Sequence, residues 1–336
     1  MAQDGAAKVA LGSWPTPVEP APRLAQALGL DAGALWIKRD DLVGLGAGGN
    51  KVRKLEYLMA DALRQRADVV VTSGRAQSNH ARLTAAAACR LGLRCVLVLG
   101  GAPPRTLAGN LVLDQLFGAE IRWAGPVGDR QLDQRVAEEA AALEAGGARV
   151  AVIPLGGSSP LGARGAIACA RELQDQVPGL RHVVVALGTG GTLAGLVAVL
   201  GAERVLGVDV GATEDPVARV TSLLEGLSRP CQPEALRIRS DQVGPGYGVL
   251  TEQAIGAIRD AAGLEGIVLD PVYTAKALSG LRAAIAEGEI GRDELTVFVH
   301  TGGLPGLFGH ELASDPMRLR LHTGPGGGGP GPAPAG

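Results

Sequence analysis

Lys51 is the residue of this sequence best placed for covalent chemistry. It directly follows Gly48, Gly49 and Asn50 and precedes a segment of helical periodicity, so nearby backbone can approach a ligand closely. A partly desolvated lysine amine has a lowered pKa and can form a Schiff base with an aldehyde, whereas the always-charged guanidinium of arginine cannot. A lysine at a helix start is by itself more often a surface residue, so its surroundings decide. Of the 32 basic residues only five are lysines: Lys8, Lys38, Lys51, Lys54 and Lys276.

A glycine-rich turn joins an apolar run to a helical segment in the sequence VVALGTGGTLAGL. Such a turn exposes backbone N–H groups at a helix N-terminus, where the helix dipole favours an anion such as phosphate. The nucleotide motifs do not fit, because Leu193 replaces the third small residue of the dinucleotide fingerprint and the Gly-Lys pair of a P-loop is absent. The turn is either another phosphate site or a tight turn without a ligand. Its residues are Gly188, Thr189, Gly190, Gly191 and Thr192.

Four polar side chains open the helical segment after the run DVVVTSG. Ser78 or Asn79 could serve simply as an N-cap, but four polar residues are more than one cap needs. Free N–H groups and the helix dipole at such a position favour binding of a carboxylate. The four residues are Gln77, Ser78, Asn79 and His80.

Two of the three tyrosines fall in loops marked by glycine or proline, Tyr247 in GPGYGVL and Tyr273 in LDPVYTAK. A phenol there could stack on a ring or relay a proton, or could simply pack. Another strand-end loop, FVHTGG, carries Thr301. A candidate amine, a candidate phosphate turn and a candidate carboxylate site are together the parts that a pyridoxal phosphate enzyme requires.

The elements that must position these residues alternate along the chain as short β-branched runs and helical patterns. Continuous apolar strands are typical of parallel sheets that helices cover on both faces. We therefore predict an α/β fold of open, twisted parallel sheets, with ligands beyond the carboxyl ends of the strands. The predicted strands lie in DVVVTSG, RCVLVLG, EIRWAG, RVAVIPLGG, RHVVVALGTGG, RVLGVDVGA and LTVFVHTGG.

Composition excludes several classes of partner. A formal net charge of -2 with interspersed acids and bases argues against nucleic acid and anionic membranes. No apolar run approaches the roughly 18 residues of a membrane span, and the N-terminal segment does not resemble a signal peptide, so we expect a cytoplasmic protein. The scattered cysteines predict buried free thiols instead of a redox or metal site. They are Cys89, Cys95, Cys169 and Cys231.

Seven segments resemble, in order, the signature blocks of the ACC deaminase / D-cysteine desulfhydrase family. The resemblance spans roughly residues 10 to 312. Members of this family are pyridoxal phosphate enzymes with the tryptophan synthase β-subunit fold, fold type II, so the resemblance implies that fold, pyridoxal 5'-phosphate as cofactor, an amino-acid substrate and a homodimer. The segments are KRDDLVGLGAGGNKVRKLEYL, SGRAQSNHARLTAAAACRLGL, GNLVLDQLFGAEI, IPLGGSSPLGARG, GTGGTLAGL, LDPVYTAKAL and FVHTGGLPGLFG.

The resemblance also implies roles for the candidate residues. Lys51 would bind the cofactor covalently and move the substrate's α-proton, and Asn79 would hydrogen-bond the cofactor's ring hydroxyl. Thr301 would lie near its pyridine nitrogen, and Ser78 could carry a proton. The implied catalytic residues are Lys51, Ser78, Tyr247 and Tyr273. The implied cofactor-binding residues are Asn50, Lys51, Asn79, Gly188, Thr189, Gly190, Gly191, Thr192 and Thr301. The implied substrate-binding residues are Ser78, Asn79, His80, Tyr247 and Tyr273.

Within the family the sequence resembles the desulfhydrase branch. At the helix mouth, the corresponding segment of ACC deaminases is SNQ, and a glutamate follows their active-site tyrosine. This chain has His80 at the first of these positions and Thr274 at the second. Because opening a cyclopropane ring needs an acid or nucleophile at the ring, the missing carboxylate disfavours that reaction. The implied reaction is α,β-elimination of D-cysteine to pyruvate, sulfide and ammonia.

Alternatives remain open on the sequence. Arg75, beside the helix mouth, departs from the family pattern and would add positive charge near the substrate, so L-cysteate sulfo-lyase activity is one alternative and ACC deaminase another. A non-catalytic pyridoxal phosphate or ligand-binding protein of the same fold is the alternative from a different class. Sequence spacing does not define which enantiomer of the substrate is bound.

We predict two domains with the cofactor in the cleft between them. Residues 1–47 and 162–321 would form the larger, cofactor-binding domain, and residues 48–161 a smaller inserted α/β domain. The glycine- and proline-rich segment 322–336 has too little apolar content to repay the entropy of ordering, so we predict a disordered tail.

Overall fold

The computed structural model describes residues 7–315 and residue 318. The strands in this part of the chain are β1 Val18–Pro20, β2 Leu35–Arg39, β3 Val69–Arg75, β4 Arg94–Gly100, β5 Glu120–Gly125, β6 Val150–Val152, β7 His182–Leu187, β8 Val205–Asp209, β9 Arg237–Arg239 and β10 Thr296–His300. The α-helices are α1 Pro22–Leu28, α2 Lys51–Arg64, α3 Asn79–Leu91, α4 Asn110–Leu116, α5 Asp129–Ala145, α6 Pro160–Gln176, α7 Gly191–Leu200, α8 Pro216–Gly226, α9 Glu252–Glu265, α10 Thr274–Ala286 and α11 Leu304–Phe308.

Six strands form the larger sheet, in the order β1-β2-β10-β7-β8-β9. All neighbours are parallel except β1, which runs antiparallel to β2. Successive side chains of a strand point to opposite faces, so Val184 of β7 packs in one apolar core with α9 and α10, whereas Val183 and Val185 pack in another with α6, α7 and α8. The larger sheet is thus buried on both faces.

Four strands form the smaller sheet, in the order β5-β4-β3-β6, and all are parallel. Val70 of β3 packs against α2 and α3, and Val69 and Val71 pack on the opposite face against α5. The carboxyl end of β3 leads directly to Ser78 and α3. This end of the smaller sheet therefore presents the predicted helix mouth.

The predicted α/β fold with parallel sheets is confirmed, and each of the seven predicted strands is a strand. Three strands escaped prediction: β1, β2 and β9. All strands of the smaller sheet lie between residues 69 and 152, within the predicted inserted segment, while the domain boundaries themselves stay a prediction. The predicted tail at 322–336 lies outside the described residues.

The cysteines and lysines differ in how they are buried. All four cysteines are free, and Cys95 and Cys169 are buried as predicted, but Cys89 is exposed because the last turn of α3 faces solvent, and Cys231 is half-buried. Among the lysines, three are buried, Lys51 is half-buried, and only Lys8 has an exposed side chain. The three buried lysines are Lys38, Lys54 and Lys276.

None of the helices in the described part of the chain is both long enough and apolar enough to cross a membrane.

Candidate active site

Lys51 is the first residue of α2 and lies where two cavities meet. Only glycine fits at Gly48, where φ is +75° and a Cβ would lie 2.0 Å from the carbonyl oxygen of Asp41. The N–H of Asn50 donates to the carbonyl of Thr301 at 3.1 Å, which ties the start of α2 to the loop after β10. Burial lowers the pKa of Lys51 to about 8, so a useful fraction of its amine is neutral near neutral pH.

The thirteen residues to which the family resemblance assigns a role all line one or both of these cavities, whereas Gln77 of the predicted helix mouth lines neither. The inner cavity is lined by Asn50, Lys51, Asn79, Gly188, Thr189, Gly190, Gly191, Thr192, Tyr273 and Thr301. The outer cavity is lined by Lys51, Ser78, His80, Thr189, Tyr247 and Tyr273. Lys51, Thr189 and Tyr273 are common to both, so they mark the junction between the two cavities.

The glycine-rich turn between β7 and α7 forms the floor of the inner cavity. Gly190 adopts the left-handed conformation at φ +84° and caps α7. A Cβ on Gly191 would lie 2.8 Å from both the ammonium of Lys54 and the hydroxyl of Ser158, so glycine leaves room between the helix N-terminus and these groups. The Nδ2 of Asn50 donates to Oγ1 of Thr192 at 2.9 Å. The turn therefore has the space and the polarity that a phosphate group needs.

Lys54 is a member of the inner cavity that the sequence did not single out. It lies one helical turn beyond Lys51, and its buried ammonium donates to the neutral groups Ser158 Oγ at 2.8 Å and Gly156 O at 3.2 Å. Burial, together with the positive charges of Lys51 and Arg219, lowers its pKa well below the usual value. A buried cation with neutral partners beside a helix N-terminus fits an anionic ligand.

Asn79 is held in one orientation by a neighbour that the sequence also did not single out. The buried Asn110, at the start of α4, donates its Nδ2 to Oδ1 of Asn79 at 3.0 Å and to the backbone carbonyl of Gln77 at 2.8 Å. Arg82 approaches the same Oδ1 at 3.5 Å. With its oxygen engaged by donors, the side chain of Asn79 has its NH₂ group left to donate toward the inner cavity.

The helix mouth combines a cap with a buried imidazole. Ser78 caps α3, its Oγ accepting from the N–H of Ala81 at 3.1 Å. Because the hydroxyl of Thr72 donates to the carbonyl of Ile153 at 2.8 Å, the 2.9 Å contact between Thr72 Oγ1 and His80 Nε2 requires His80 to be the donor. Nδ1 of His80 then carries a lone pair, and it has no hydrogen-bond partner in the described structure. Burial and the nearby lysines lower the pKa of His80 well below its usual value, so the ring is neutral.

The two tyrosines meet in the outer cavity. Their hydroxyl oxygens are 2.6 Å apart and their rings meet edge to face, with centroids separated by 6.1 Å. Desolvation raises the pKa of both phenols, so both stay protonated at neutral pH. The loop that carries Tyr247 is anchored by the buried Lys276, which donates to the carbonyls of Val243 at 2.7 Å and Gly246 at 3.1 Å.

Arg75 also lines the outer cavity, but it does not offer the isolated positive charge that we expected from the sequence. Its guanidinium donates to Oδ1 of Asp129 at 2.9 Å and to the carbonyl of Val127 at 2.7 Å. Asp129 lines the same cavity. The sequence could not reveal this pair, because 54 residues separate its members.

The inner cavity fits pyridoxal 5'-phosphate on its own chemistry. Lys51 offers an amine of low pKa for the aldehyde, and Lys54 and the N-terminus of α7 suit the phosphate. The NH₂ group of Asn79 suits the ring oxygen, and all these groups line the same cavity. The phosphate of the cofactor would thus supply the negative charge that the neutral partners of Lys54, Ser158 Oγ and Gly156 O, do not.

Known proteins are similar to this chain in sequence and in fold. A D-cysteine desulfhydrase of Salmonella choleraesuis is 42% identical over 315 residues, which cover 88% of this chain and 94% of that protein. A Pyrococcus abyssi protein provisionally named a 1-aminocyclopropane-1-carboxylate deaminase is 43% identical over 315 residues, covering 90% of this chain and 93% of that protein. The crystal structure of an ACC deaminase homologue superimposes with a TM-score of 0.82 at 37% identity, covering 92% of this chain and 96% of that one.

A more distant solved structure confirms the fold type. Threonine deaminase isoform 2 of Solanum lycopersicum is 18% identical with a TM-score of 0.64, covering 87% of this chain and 84% of that one, so it shares the fold of pyridoxal phosphate enzymes of type II. The family model described as pyridoxal-phosphate dependent enzyme matches residues 9–302. Because the family model matches most of the chain and the relatives above are similar over nearly all of it, this chain belongs to the family of pyridoxal-phosphate dependent enzymes.

Proposed function

We propose that this enzyme is a lyase that eliminates a thiol from the β-carbon of a small amino acid, with D-cysteine as substrate and pyruvate, sulfide and ammonia as products. The observation that carries the proposal is the position of Lys51, whose amine has a pKa of about 8 and lies between the phosphate-type turn and the mouth of α3. The 42% identity to a D-cysteine desulfhydrase supports the choice of substrate.

The chain's own residues divide the work between the two cavities. Gly188–Thr192 and Lys54 would hold the phosphate, and Asn79 the ring oxygen. When bound, pyridoxal phosphate supplies an electron sink for negative charge that develops at the substrate's α-carbon. Lys51 would accept the α-proton, because its amine is neutral in part at neutral pH.

The outer cavity suits the substrate. First-turn N–H groups of a helix have no partner within the helix, so the mouth of α3 at Asn79 and His80 can receive a carboxylate through its backbone. Nδ1 of His80 carries a lone pair and cannot donate to a carboxylate, so the backbone of the helix mouth is the better donor. The protonated phenols of Tyr247 and Tyr273 can donate a proton to a departing sulfur.

Thr301 and Thr274 favour thiol elimination over opening of a cyclopropane ring. Thr301 lines the inner cavity, and a neutral hydroxyl at the pyridine nitrogen would leave that nitrogen less firmly protonated, which suffices when a thiol leaves. Thr274 is fully buried, its hydroxyl donates to Asp270 at 2.6 Å, and it lines neither cavity. The chain thus has no acidic side chain at the position where the family resemblance places a glutamate in ACC deaminases.

The experiment that tests the proposal measures pyruvate released from D-cysteine, L-cysteine, L-cysteate and ACC in parallel by the cofactor-loaded protein. We expect turnover of D-cysteine, lost in Lys51→Ala and retained in the matched Lys8→Ala, which changes the exposed lysine. Preferred turnover of ACC would contradict the branch assignment. If the cofactor-loaded protein released no pyruvate from any of the four substrates, the lyase proposal would be contradicted.

We further propose a cytoplasmic homodimer. The family resemblance supports the dimer, and the four free cysteines suit a reducing compartment. Sedimentation equilibrium at several protein concentrations would measure the mass, and a monomer at all concentrations would contradict the dimer. Fractionation of cells that express the protein would test its location.

A further inference from the structure

The outer cavity is lined by one positive and one negative side chain that form an ion pair. Arg75 ends β3 and Asp129 begins α5, and both come from elements of the smaller sheet. Two hydrogen bonds fix the guanidinium, to Asp129 Oδ1 at 2.9 Å and to the carbonyl of Val127 at 2.7 Å. Both side chains keep access to solvent, at 40% and 49% exposure, so the pair can interact with whatever enters the cavity.

The two charges act against each other on the substrate's surroundings. At Tyr247, which lines the same cavity, the charge of Arg75 lowers the pKa of the phenol and the charge of Asp129 raises it. The same cavity is also lined by the apolar side chains of Leu132 and Leu155. An anion in this space would therefore gain little from Arg75, because Asp129 repels it from almost the same position.

We propose that the Arg75–Asp129 pair selects the leaving group: it admits amino acids whose β-substituent is uncharged, such as a thiol, and discriminates against anionic β-substituents such as a sulfonate. This inference rests on the proposed function, because it assigns the substrate class of the same site. It also reverses the expectation that Arg75 would favour cysteate, since Asp129 already occupies the guanidinium.

The pair can be unbalanced without displacing the arginine. Asp129→Asn removes the carboxylate charge and keeps the size of the side chain, and the hydrogen bond to Val127 still anchors Arg75. Removing a repelling charge about 4 Å from an anion at a solvated site changes binding about fivefold. Asp129→Asn should therefore raise kcat/KM for cysteate relative to cysteine of the same enantiomer by about fivefold.

Two further variants serve as controls. Glu144→Gln makes the same charge change on the exposed end of α5, about 22 Å along the helix axis and well beyond the Debye length, and should leave the ratio unchanged. The double variant Asp129→Asn, Arg75→Gln should lose the gain, because the freed cation is then absent.

Isothermal titration calorimetry with methanesulfonate, an anion that the enzyme does not turn over, tests the inference without relying on catalysis. We expect the holoenzyme of Asp129→Asn to bind methanesulfonate about fivefold more tightly than wild type, and the double variant to lose this gain. Unchanged methanesulfonate affinity in Asp129→Asn, or an unchanged ratio where both substrates are turned over, would overturn the inference. If no variant released pyruvate but methanesulfonate affinity rose as expected, the proposed function would fail while the assignment of the pair stood.

Discussion

Desolvation sets the reactivity of Lys51. An ordinary lysine is almost wholly protonated at neutral pH, whereas a pKa of about 8 leaves a substantial minority of the amine neutral. Only the neutral amine can attack an aldehyde, so burial at the start of α2 prepares the residue for its chemistry. Arginine could not be prepared in this way, because its guanidinium stays charged.

The first prediction concerns the pH dependence of cofactor loading. Protein freed of cofactor should bind pyridoxal phosphate covalently at a rate that rises about tenfold from pH 7 to pH 9 and levels off above pH 9, because the amine loses its proton near pH 8. N-acetyl-lysine methyl ester is the control, whose rate should rise about a hundredfold over the same range without levelling off. Stopped-flow absorbance measures both; a protein profile that follows the control would show that Lys51 is not desolvated.

The second prediction concerns Asn110. Asn110→Ala removes the donor that fixes the amide of Asn79, so the affinity for pyridoxal phosphate should fall about three- to tenfold, as expected for one lost hydrogen bond. The absorption spectrum of the loaded protein should change as well, because the partner of the cofactor's ring oxygen is no longer oriented. Gln115→Ala, an exposed neighbour on α4, is the control; equal effects of both variants would mean that α4 as a whole had been disturbed.

Residue types, spacing and the family resemblance predict thirteen of the residues that line the two cavities, but neither Lys54 nor Asn110, which orients Asn79. Lys54 lies three residues after Lys51 on an amphipathic helix, a position that is indistinguishable from a surface lysine until the packing of α2 against the loop at Gly156 is known. Asn110 contacts Asn79 from 31 residues away. Their contributions depend on distances that no local pattern encodes.

At the scale of elements, α2 is held by a buried ionic network. Arg53, two residues after Lys51, donates to both carboxylate oxygens of Asp40 at 2.8 Å and to both of Glu172 at 2.8 Å. Its guanidinium also lies 4.0 Å from the ring centroid of Trp14. Lys38, in the centre of the network, donates to Glu172 at 2.6 Å. These bonds fix the position of the helix that carries the reactive amine.

The third prediction is that Arg53→Met destabilises the protein by about 3–5 kcal/mol, because Asp40 loses its buried guanidinium partner and Glu172 is left with Lys38. Lys8→Met, which removes an exposed lysine from the buried Glu56, should cost about 1 kcal/mol or less, because Glu56 keeps its hydrogen bonds from Leu11, Gly12 and Trp14. Chemical denaturation measures both. Similar values for the two variants would mean that the buried network contributes no more than the partly exposed Lys8–Glu56 pair.

The same network predicts a dependence of stability on pH. Burial alone would raise the pKa of Glu172, but hydrogen bonds and charges from Arg53 and Lys38 outweigh burial and lower it from its ordinary value of 4.5. Because the folded pKa is the lower one, the stabilisation is present above pH 4.5 and is lost as pH falls through the folded pKa. Arg53→Met should weaken this acid dependence, which denaturation at a series of pH values would show.

Alternating β-branched runs predicted seven strands, and the missed strands show the limit of that pattern. Strand β2, LWIKR, contains a lysine and an arginine and so reads as an amphipathic or surface segment, yet it lies between β1 and β10. Lys38 can be fully buried there because Thr16 O, Glu172 and Gln176 accept its hydrogen bonds. Strands β1 and β9 have three residues each, too few to show a period.

At the scale of the whole molecule, the inner cavity joins the two sheets. Asn79 comes from the helix after β3 of the smaller sheet, whereas Gly188–Thr192 follow β7 of the larger one. The sequence predicted a cleft between two units, because the ligand sites of both lie at the carboxyl ends of strands. It could not predict how the sheets face each other, since that depends on packing such as α2 against α6.

A fifth prediction follows from this bridging position. Pyridoxal phosphate at a concentration of 100 times its Kd should stabilise the fold by about 2.7 kcal/mol and raise the Tm by several degrees. Pyridoxal at the same concentration should raise it less, because Lys54 and the turn at Gly190 and Gly191 then lack their anion. Differential scanning calorimetry measures both shifts, and equal shifts would argue against a phosphate site in the turn.

The burial of the lysines also bears on how the protein meets reactive carbonyl compounds in general. Aldehydes condense with whatever neutral amines they reach, and a surface rich in lysine would capture them unproductively. Here the side chains of Lys38, Lys54 and Lys276 are shielded, and Lys8 alone is exposed. Amine-directed mass tags and glutaraldehyde should therefore modify lysine side chains mainly at Lys8 and, where the cofactor is absent, at Lys51.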